Sequence, residues 1–293
     1  MVAGAGLAAC STGGGTGASS SHRVQVVAGE NFWGSIAAQI GEPDAEVRSI
    51  IENPDTDPHS YEATPADARA IASAKVVIEN GIGYDPWVQQ ILDANGGAGV
   101  TVLNVGKLLG IAAGGNPHQW YSQDAVEKFA ARLTSDLAAV DPAHRADYER
   151  NERDFETKGL AQYDALIARV KRQYRGTPIG ASESIVVPLA ETLGLKVMTP
   201  QSFLDAIAEG SEPTASDKTT ADEQIRDHRI KVFVFNSQNS TPDVQRLVGE
   251  ARREGIPVTP VTETLTPSNV TFQDWQGREL RSLLAALARA VPR

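Results

Sequence analysis

From Arg23 onward the chain alternates short β-branched runs with longer stretches whose apolar residues recur every three or four positions. VQVVA (24–28), VRSII (47–51), KVVIEN (75–80) and TVLNV (101–105) predict four strands. Helical patterns follow them: NFWGSIAAQIG, TPADARAIASA, DPWVQQILDANG and QDAVEKFAARLTSDLAAV. The segment 141–174 then reads as one long helix, with Asp141 as its cap and Pro142 at the first helical position. Within it Tyr163, Leu166, Ile167, Val170 and Tyr174 form an apolar stripe at helical spacing. Gly159 costs this helix about 1 kcal/mol relative to alanine and marks a place to bend. The alternation resumes with PIGAS (178–182), LKVMT (195–199), KVFVFN (231–236) and IPVTPVT (256–262), and ends on the helical DWQGRELRSLLAALARAV.

Strands that alternate with helices predict parallel sheets covered by helices on both faces. Two sets of four units separated by one helix predict an α/β fold of two lobes joined by a long rigid helix, with a ligand cleft between them. The expected divisions are a tether at 1–22, an N-terminal lobe at 23–140, the linking helix at 141–174 and a C-terminal lobe at 175–293.

Composition narrows the function. The 293 residues carry a formal charge of −10 and a pI near 5.0, which argues against a nucleic-acid partner and suits a cleft that attracts cations. No run of about 18 apolar residues is present to span a bilayer. The single cysteine, Cys10, excludes an internal disulfide framework. It stands in LAAC ahead of STGGGTGASSS, which resembles a bacterial lipoprotein processing box followed by a flexible tether. That resemblance implies acylation of Cys10, loss of residues 1–9 and anchoring to the outer face of the cell membrane. The short apolar run ahead of Cys10 has no basic segment before it, so it departs from a full secretory signal.

In open parallel sheets, ligands bind beyond the carboxyl ends of the strands. Four metal-capable residues stand just after strand runs: His59 in DPHSYE, His118 in NPHQWY, Glu183 in GASESIV and Glu263 in VTETLT. Two imidazoles and two carboxylates suit a divalent transition metal, because the carboxylates offset its charge. Pro58 and Pro117 stiffen the chain just before each histidine, reducing the entropy lost on chelation. Blander readings stay open. His59 can be a turn residue, Glu183 can cap the helix after it, and Glu263 can be a solvated loop carboxylate. Asp243 and Asp274 compete with Glu263 on equal physical terms. His22, His144 and His228 read as tether, rod and charged-helix residues.

From about Val24 to the C-terminus the chain resembles the metal-specific solute-binding proteins of zinc and manganese ABC transporters. The motifs that carry the resemblance are NPDTDPHSYEATPADARAIASAKVVIENGIGYDPW, NPHQWYSQDAV, ASESIVVPLAETLGLKV and VTETLTPSNVTFQDW. The resemblance implies two α/β lobes bridged by one helix, with His59 and His118 as metal ligands from the first lobe. Glu183 stands where the family places histidine or glutamate. Glu263 stands where the family most often places aspartate. The His-rich acidic loop of many zinc-specific members is missing, and the chain has only five histidines.

The expected role is capture of one divalent ion, Zn2+ or Mn2+, by a monomer that delivers it to an ABC permease. Two carboxylates tilt the donor set toward manganese or iron, whereas zinc binds more tightly at most such sites. Binding needs neutral imidazole, so affinity is expected to fall below the ordinary histidine pKa of about 6.5. Two alternatives remain. A binder of a siderophore or corrinoid would line its cleft with arginines or aromatics; Tyr61 and Trp120 flank the histidines. A zinc hydrolase would keep an open coordination position, but there is no HExxH helix and Ser182 lacks a GxSxG setting.

Overall fold

Eight strands form where the β-branched runs stand. They lie in a computed structural model that describes residues 1, 23–56, 58–95 and 99–292, with His59 described in its backbone only. The first half runs β1 (Val24–Glu30), α1 (Asn31–Gly41), β2 (Ala45–Ile51), α2 (Pro65–Ser73), β3 (Val76–Glu79), α3 (Pro86–Ala94), β4 (Thr101–Asn104), α4 (Val105–Leu109) and α5 (Gln123–Val140). Two linking helices follow, α6 (Arg145–Asp154) and α7 (Ala161–Tyr174). The second half runs β5 (Pro178–Ala181), α8 (Val186–Leu193), β6 (Lys196–Val197), α9 (Gln201–Ala208), α10 (Ala215–Arg226), β7 (Val232–Asn236), α11 (Pro242–Arg253), β8 (Val258–Val261) and α12 (Phe272–Ala290).

Each half holds one four-stranded sheet, ordered β2-β1-β3-β4 and β6-β5-β7-β8, and every pairing is parallel. The expected α/β fold of two parallel-sheet lobes is therefore present. Both sheets reverse their winding direction beside the first strand, between β1 and β3 and between β5 and β7. Such switch points open a crevice at the strand ends. Glu30 and Glu79 end the strands at the first, and Asn236 ends β7 at the second.

Strand alternation decides which side chains enter which core. Val26 and Ala28 of β1 join an apolar cluster that continues through α1, α5, α7 and α12 into the second lobe. Val27, from the opposite face of β1, joins Ile51, Ile71, Val77, Trp87 and Leu92 in a smaller cluster. Because the larger cluster is continuous, the two lobes share a core.

The linking segment departs from one uninterrupted helix. Its start is a 3-10 turn, Pro142–His144, and Asp141 does not cap it. The Asp141 carboxylate instead accepts from Tyr148 Oη at 2.9 Å and pairs with His144 Nδ1 at 2.7 Å. Between α6 and α7 lies a π turn, Phe155–Gly159, in which the Leu160 N–H donates to the Phe155 carbonyl at 2.8 Å. The reason is visible in the apolar spacing. Phe155 and Leu160 are both buried and five residues apart. At about 100° per residue an α-helix would aim them at different faces, whereas an i→i−5 turn returns them to one. Gly159 closes that turn, so the sequence signal for a bend sits at the irregularity.

The stripe on α7 packs on α12, where Tyr163 lies 6.2 Å from Phe272. Tyr163, Ile167, Val170 and Tyr174 are buried and Leu166 half-buried. The start of α12 also reaches the first lobe, because the Phe272 N–H donates to Ser35 Oγ at 2.9 Å. The Leu265 N–H, just upstream, donates to Asn31 Oδ1 at 3.2 Å. The lobes are thus held by direct contact as well as by the linking segment. None of the helices among the described residues is long and apolar enough to cross a membrane. Cys10 and His22 lie outside the described residues.

Candidate metal centre

Three of the four sequence-predicted residues come together. One donor atom each from His118, Glu183 and Glu263 lies within 4.8 Å of the others, and all three residues are buried. His118 comes from the loop between α4 and α5, Glu183 from the turn after β5, and Glu263 from the turn after β8. Both lobes therefore contribute. The fourth residue, His59, sits in a 3-10 turn, Pro58–Ser60, and its side chain lies outside the described residues. Its neighbours Pro58 and Ser60 line a cleft of about 360 Å3 together with Glu183, Asn236 and Glu263.

The loop after His59 is fixed by the residues that made its motif conspicuous. Thr64 and Asp67 form a capping box on α2: the Thr64 N–H donates to Asp67 Oδ2 at 2.8 Å, and the Asp67 N–H donates back to Thr64 Oγ1. Tyr61 Oη donates to the same carboxylate at 2.8 Å. Burial works against the Asp67 charge, yet these donors hold its carboxyl below the usual range. Tyr61 also packs edge-on against Trp87, at 5.1 Å.

His118 is oriented by Asn116. The Asn116 amide spans the lobes, donating from Nδ2 to the Ser184 carbonyl at 2.7 Å, while its Oδ1 accepts the His118 N–H at 3.0 Å. Oδ1 therefore faces His118 Nδ1, 2.8 Å away, as an acceptor, which assigns the ring proton to Nδ1. Nε2 is left with its lone pair toward Glu263 Oε1, at 3.1 Å. Two electron-rich atoms at that distance call for a cation or proton between them. Trp120 packs edge-on to the imidazole at 5.2 Å and stacks on Phe32 at 3.9 Å, so the ring has little freedom to turn.

The described partners of the two carboxylates are neutral groups. Asn236 Nδ2 bridges them, donating to Glu183 Oε1 at 2.7 Å and to Glu263 Oε2 at 2.8 Å. Asn239 Nδ2 donates to Glu183 Oε2 at 2.6 Å, and Tyr84 Oη to Glu263 Oε1 at 3.1 Å. Amides and a phenol orient carboxylates without neutralising them, which preserves charge for a dication. The N-cap position of α8 is Ile185, which makes no side-chain cap hydrogen bond, and Glu183 lies two residues before it. Asp243 pairs with Lys218 at 2.9 Å, and Asp274 lies exposed in the first turn of α12, so neither joins the cluster. His144 pairs with Asp141, and His228 is exposed near Glu254.

Sequence reasoning missed Asn116, Asn236, Asn239 and Tyr84. Asn116 and Asn236 had a signal, since Asn116 stands two residues before His118 and Asn236 is a polar residue at a strand end. Tyr84 is delivered by the turn Asn80–Asp85, where Gly81, Ile82 and Gly83 all have positive φ (70°, 61° and 88°). A β-branched residue there is costly, and the turn is pinned by its surroundings. Asp85 accepts the N–H groups of Asn80 and Gly81, both at 2.7 Å. Asn80 takes the Trp33 indole proton on Oδ1 and donates from Nδ2 to the Pro117 carbonyl, beside His118. Gly81→Ala would place a Cβ 2.6 Å from Asn104 Oδ1 in a left-handed conformation. The expected cost is about 1–3 kcal/mol, read as a lower midpoint in chemical denaturation with an unchanged slope.

Comparison with known proteins follows the same lines. A family model described as zinc-uptake complex component A, periplasmic, matches residues 26–286. The chain is similar to the high-affinity zinc uptake system protein ZnuA of Bacillus subtilis, 22% identical over 237 residues that make up 75% of this chain and 71% of the relative. It is also similar to the manganese ABC transporter substrate-binding lipoprotein PsaA of Streptococcus anginosus, 24% identical over 258 residues, 80% of this chain and 79% of that one. Its fold is similar to that of the Mn-bound periplasmic metal binding protein from Candidatus Liberibacter asiaticus, with a TM-score of 0.73 and 23% identity, covering 90% of this chain and 99% of the other.

Proposed function

We propose a function from one premise: the chain belongs to the periplasmic zinc-uptake complex component A family. It is an extracytoplasmic substrate-binding protein of an ABC importer, capturing a divalent transition metal ion, zinc or manganese, and delivering it to a membrane permease. The observation that carries this is the buried convergence of His118, Glu183 and Glu263 from both lobes, with the Asn236 amide bridging the two carboxylates. His59, carried by a turn at the mouth of the same cleft, is the fourth ligand in this reading. Acylated Cys10 anchors the chain to the membrane, and the chain works as a monomer.

Capture needs no bond chemistry. The acidic cleft raises the local cation concentration, and the two carboxylates balance the charge of the ion. Because the lobes share a core and hydrogen-bond directly, release proceeds through small lobe shifts or loop rearrangement on the permease. Among its described lining residues the cleft has no arginine and no aromatic ring, as a siderophore or corrinoid would require.

Elemental analysis of protein purified without added metal tests the reading. One equivalent of zinc or manganese is expected in the wild type, and little in His59→Ala or Glu263→Ala. Metal retained by Glu263→Ala and lost from His59→Ala removes Glu263 alone. Wild-type protein that takes up neither ion, and whose melting temperature ignores millimolar chelator, removes the function.

A further inference from the structure

Behind the metal centre lies a further, half-buried carboxylate that joins the lobes. Glu279, on α12, accepts the Thr262 N–H and the Thr262 hydroxyl on Oε1, both at 2.9 Å. Its Oε2 accepts Tyr121 Oη at 2.6 Å. Thr262 immediately precedes Glu263, and Tyr121 closes the 3-10 turn that follows His118. One side chain thus ties the Glu263 loop of the second lobe to the His118 loop of the first. The Thr262 hydroxyl is held in turn by the Trp275 indole, at 2.7 Å. The Thr262 carbonyl lies 2.8 Å from Tyr121 Oη and offers the phenol a second acceptor.

We propose that Glu279 is a positioning residue that latches the His118 and Glu263 loops together and so sets how long captured metal is held. This deepens the metal-capture reading and rests on it. Glu279 touches neither ligand; its effect passes through Thr262 and Tyr121. While the latch is closed, neither loop moves without breaking a hydrogen bond to this carboxylate, and bonds to an ionised carboxylate are the stronger kind. Opening it frees His118 and Glu263 to separate, the motion that release to a permease requires.

The test is the release rate of bound Mn2+ or Zn2+ into excess chelator, measured for the wild type, Tyr121→Phe, Glu279→Ala, Glu279→Gln and the Tyr121→Phe/Glu279→Ala double variant. Tyr121→Phe and Glu279→Ala are each expected to speed release about tenfold, as loss of an outer partner does at metal sites. The double variant should release no faster than the faster single one, because both remove the same tie. Glu279→Gln should stay near the wild-type rate: its carbonyl can accept both Thr262 bonds, and its amide can donate to a phenol turned to the Thr262 carbonyl. Should Glu279→Ala fail to fold, the contrast between a fast-releasing Tyr121→Phe and a Glu279→Gln near the wild-type rate tests the latch, and equal rates for the two overturn it. Variants that melt earlier yet release metal at the wild-type rate overturn the latch, as does strict additivity of the two single effects. Wild-type protein that holds no metal overturns the capture reading together with the latch.

Discussion

Replacing His118 by alanine is expected to weaken divalent-metal affinity by at least about a hundredfold, more than loss of an outer partner does. The argument is geometric. Asn116 accepts the Nδ1 proton, so the Nε2 lone pair is aimed at the cluster before any ion arrives. Stacking around Trp120 holds the ring in that direction, and little ordering entropy remains to be lost on binding. Asn116→Ala removes the orienting acceptor and leaves the donor, so its loss should be smaller, within about 10–100-fold. Competition against a chromophoric chelator at constant pH measures both. Equal affinities for His118→Ala and wild type would remove His118 from the site, and an Asn116→Ala loss exceeding that of His118→Ala would contradict the orienting role.

The second large effect is a stability profile that runs opposite to the metal-binding profile. Glu30 is wholly buried, and neither of its carboxyl oxygens has a hydrogen-bond donor among the described residues. Burial, reinforced by neighbouring Asp85, holds its pKa well above the ordinary carboxylate range. Burial also pushes Asp85 up to about 7, although the N–H groups of Gly81 and Asn80 favour its charged form. Glu279 rises to about 7 for the same first reason, against its donors Tyr121 and Thr262. Near these carboxyls stand Glu79, whose pKa is also raised by burial, and Tyr121, raised by burial and by Glu279.

Each carboxyl binds its proton more tightly folded than unfolded. For Asp85 and Glu279 the stability this confers is complete below the unfolded pKa of about 4 and is lost as pH rises through about 7, and Glu30 and Glu79 act in the same direction. His144, raised by its bond to Asp141, acts in the same direction. Asp67 and Asp141, held below the usual carboxylate range by their hydrogen-bond donors, act in the opposite direction and reduce the slope. Metal-free protein is therefore expected to be more stable at about pH 5 than at about pH 8, by on the order of a few kcal/mol. A shift of that size moves the melting temperature by several degrees. Asp85→Asn and Glu279→Gln should each flatten the profile. Metal-loaded protein should show the reverse slope, because imidazole must be neutral to bind. A metal-free melting temperature that climbs steadily from pH 5 to pH 8 would show that these carboxyls are solvated.

Much of the fold was legible because its periodicities are local. β-Branched runs of five to seven residues and apolar stripes at 3.6 spacing depend on near neighbours, and all eight strands appeared where those runs stood. The break in the linking segment was legible only as Gly159. Its form depends on burying both Phe155 and Leu160, five residues apart, in the same apolar core. The candidate site was partly legible for a related reason. A histidine or glutamate just beyond a strand names itself as a donor, whereas an asparagine there reads as an ordinary loop residue until its two acceptors are seen.

By itself, then, the sequence determined the alternating α/β lobes, the linking segment and which loop residues can donate to a metal, since those follow from residue type and spacing along one chain. The tertiary structure alone decided that Asn236 bridges Glu183 and Glu263, that Asn116 sets the face of His118, and that Glu279 ties two lobes. Hydrogen bonds across 27, 53 and 158 residues of sequence exist only once the chain has closed on itself and excluded water from the groups that form them.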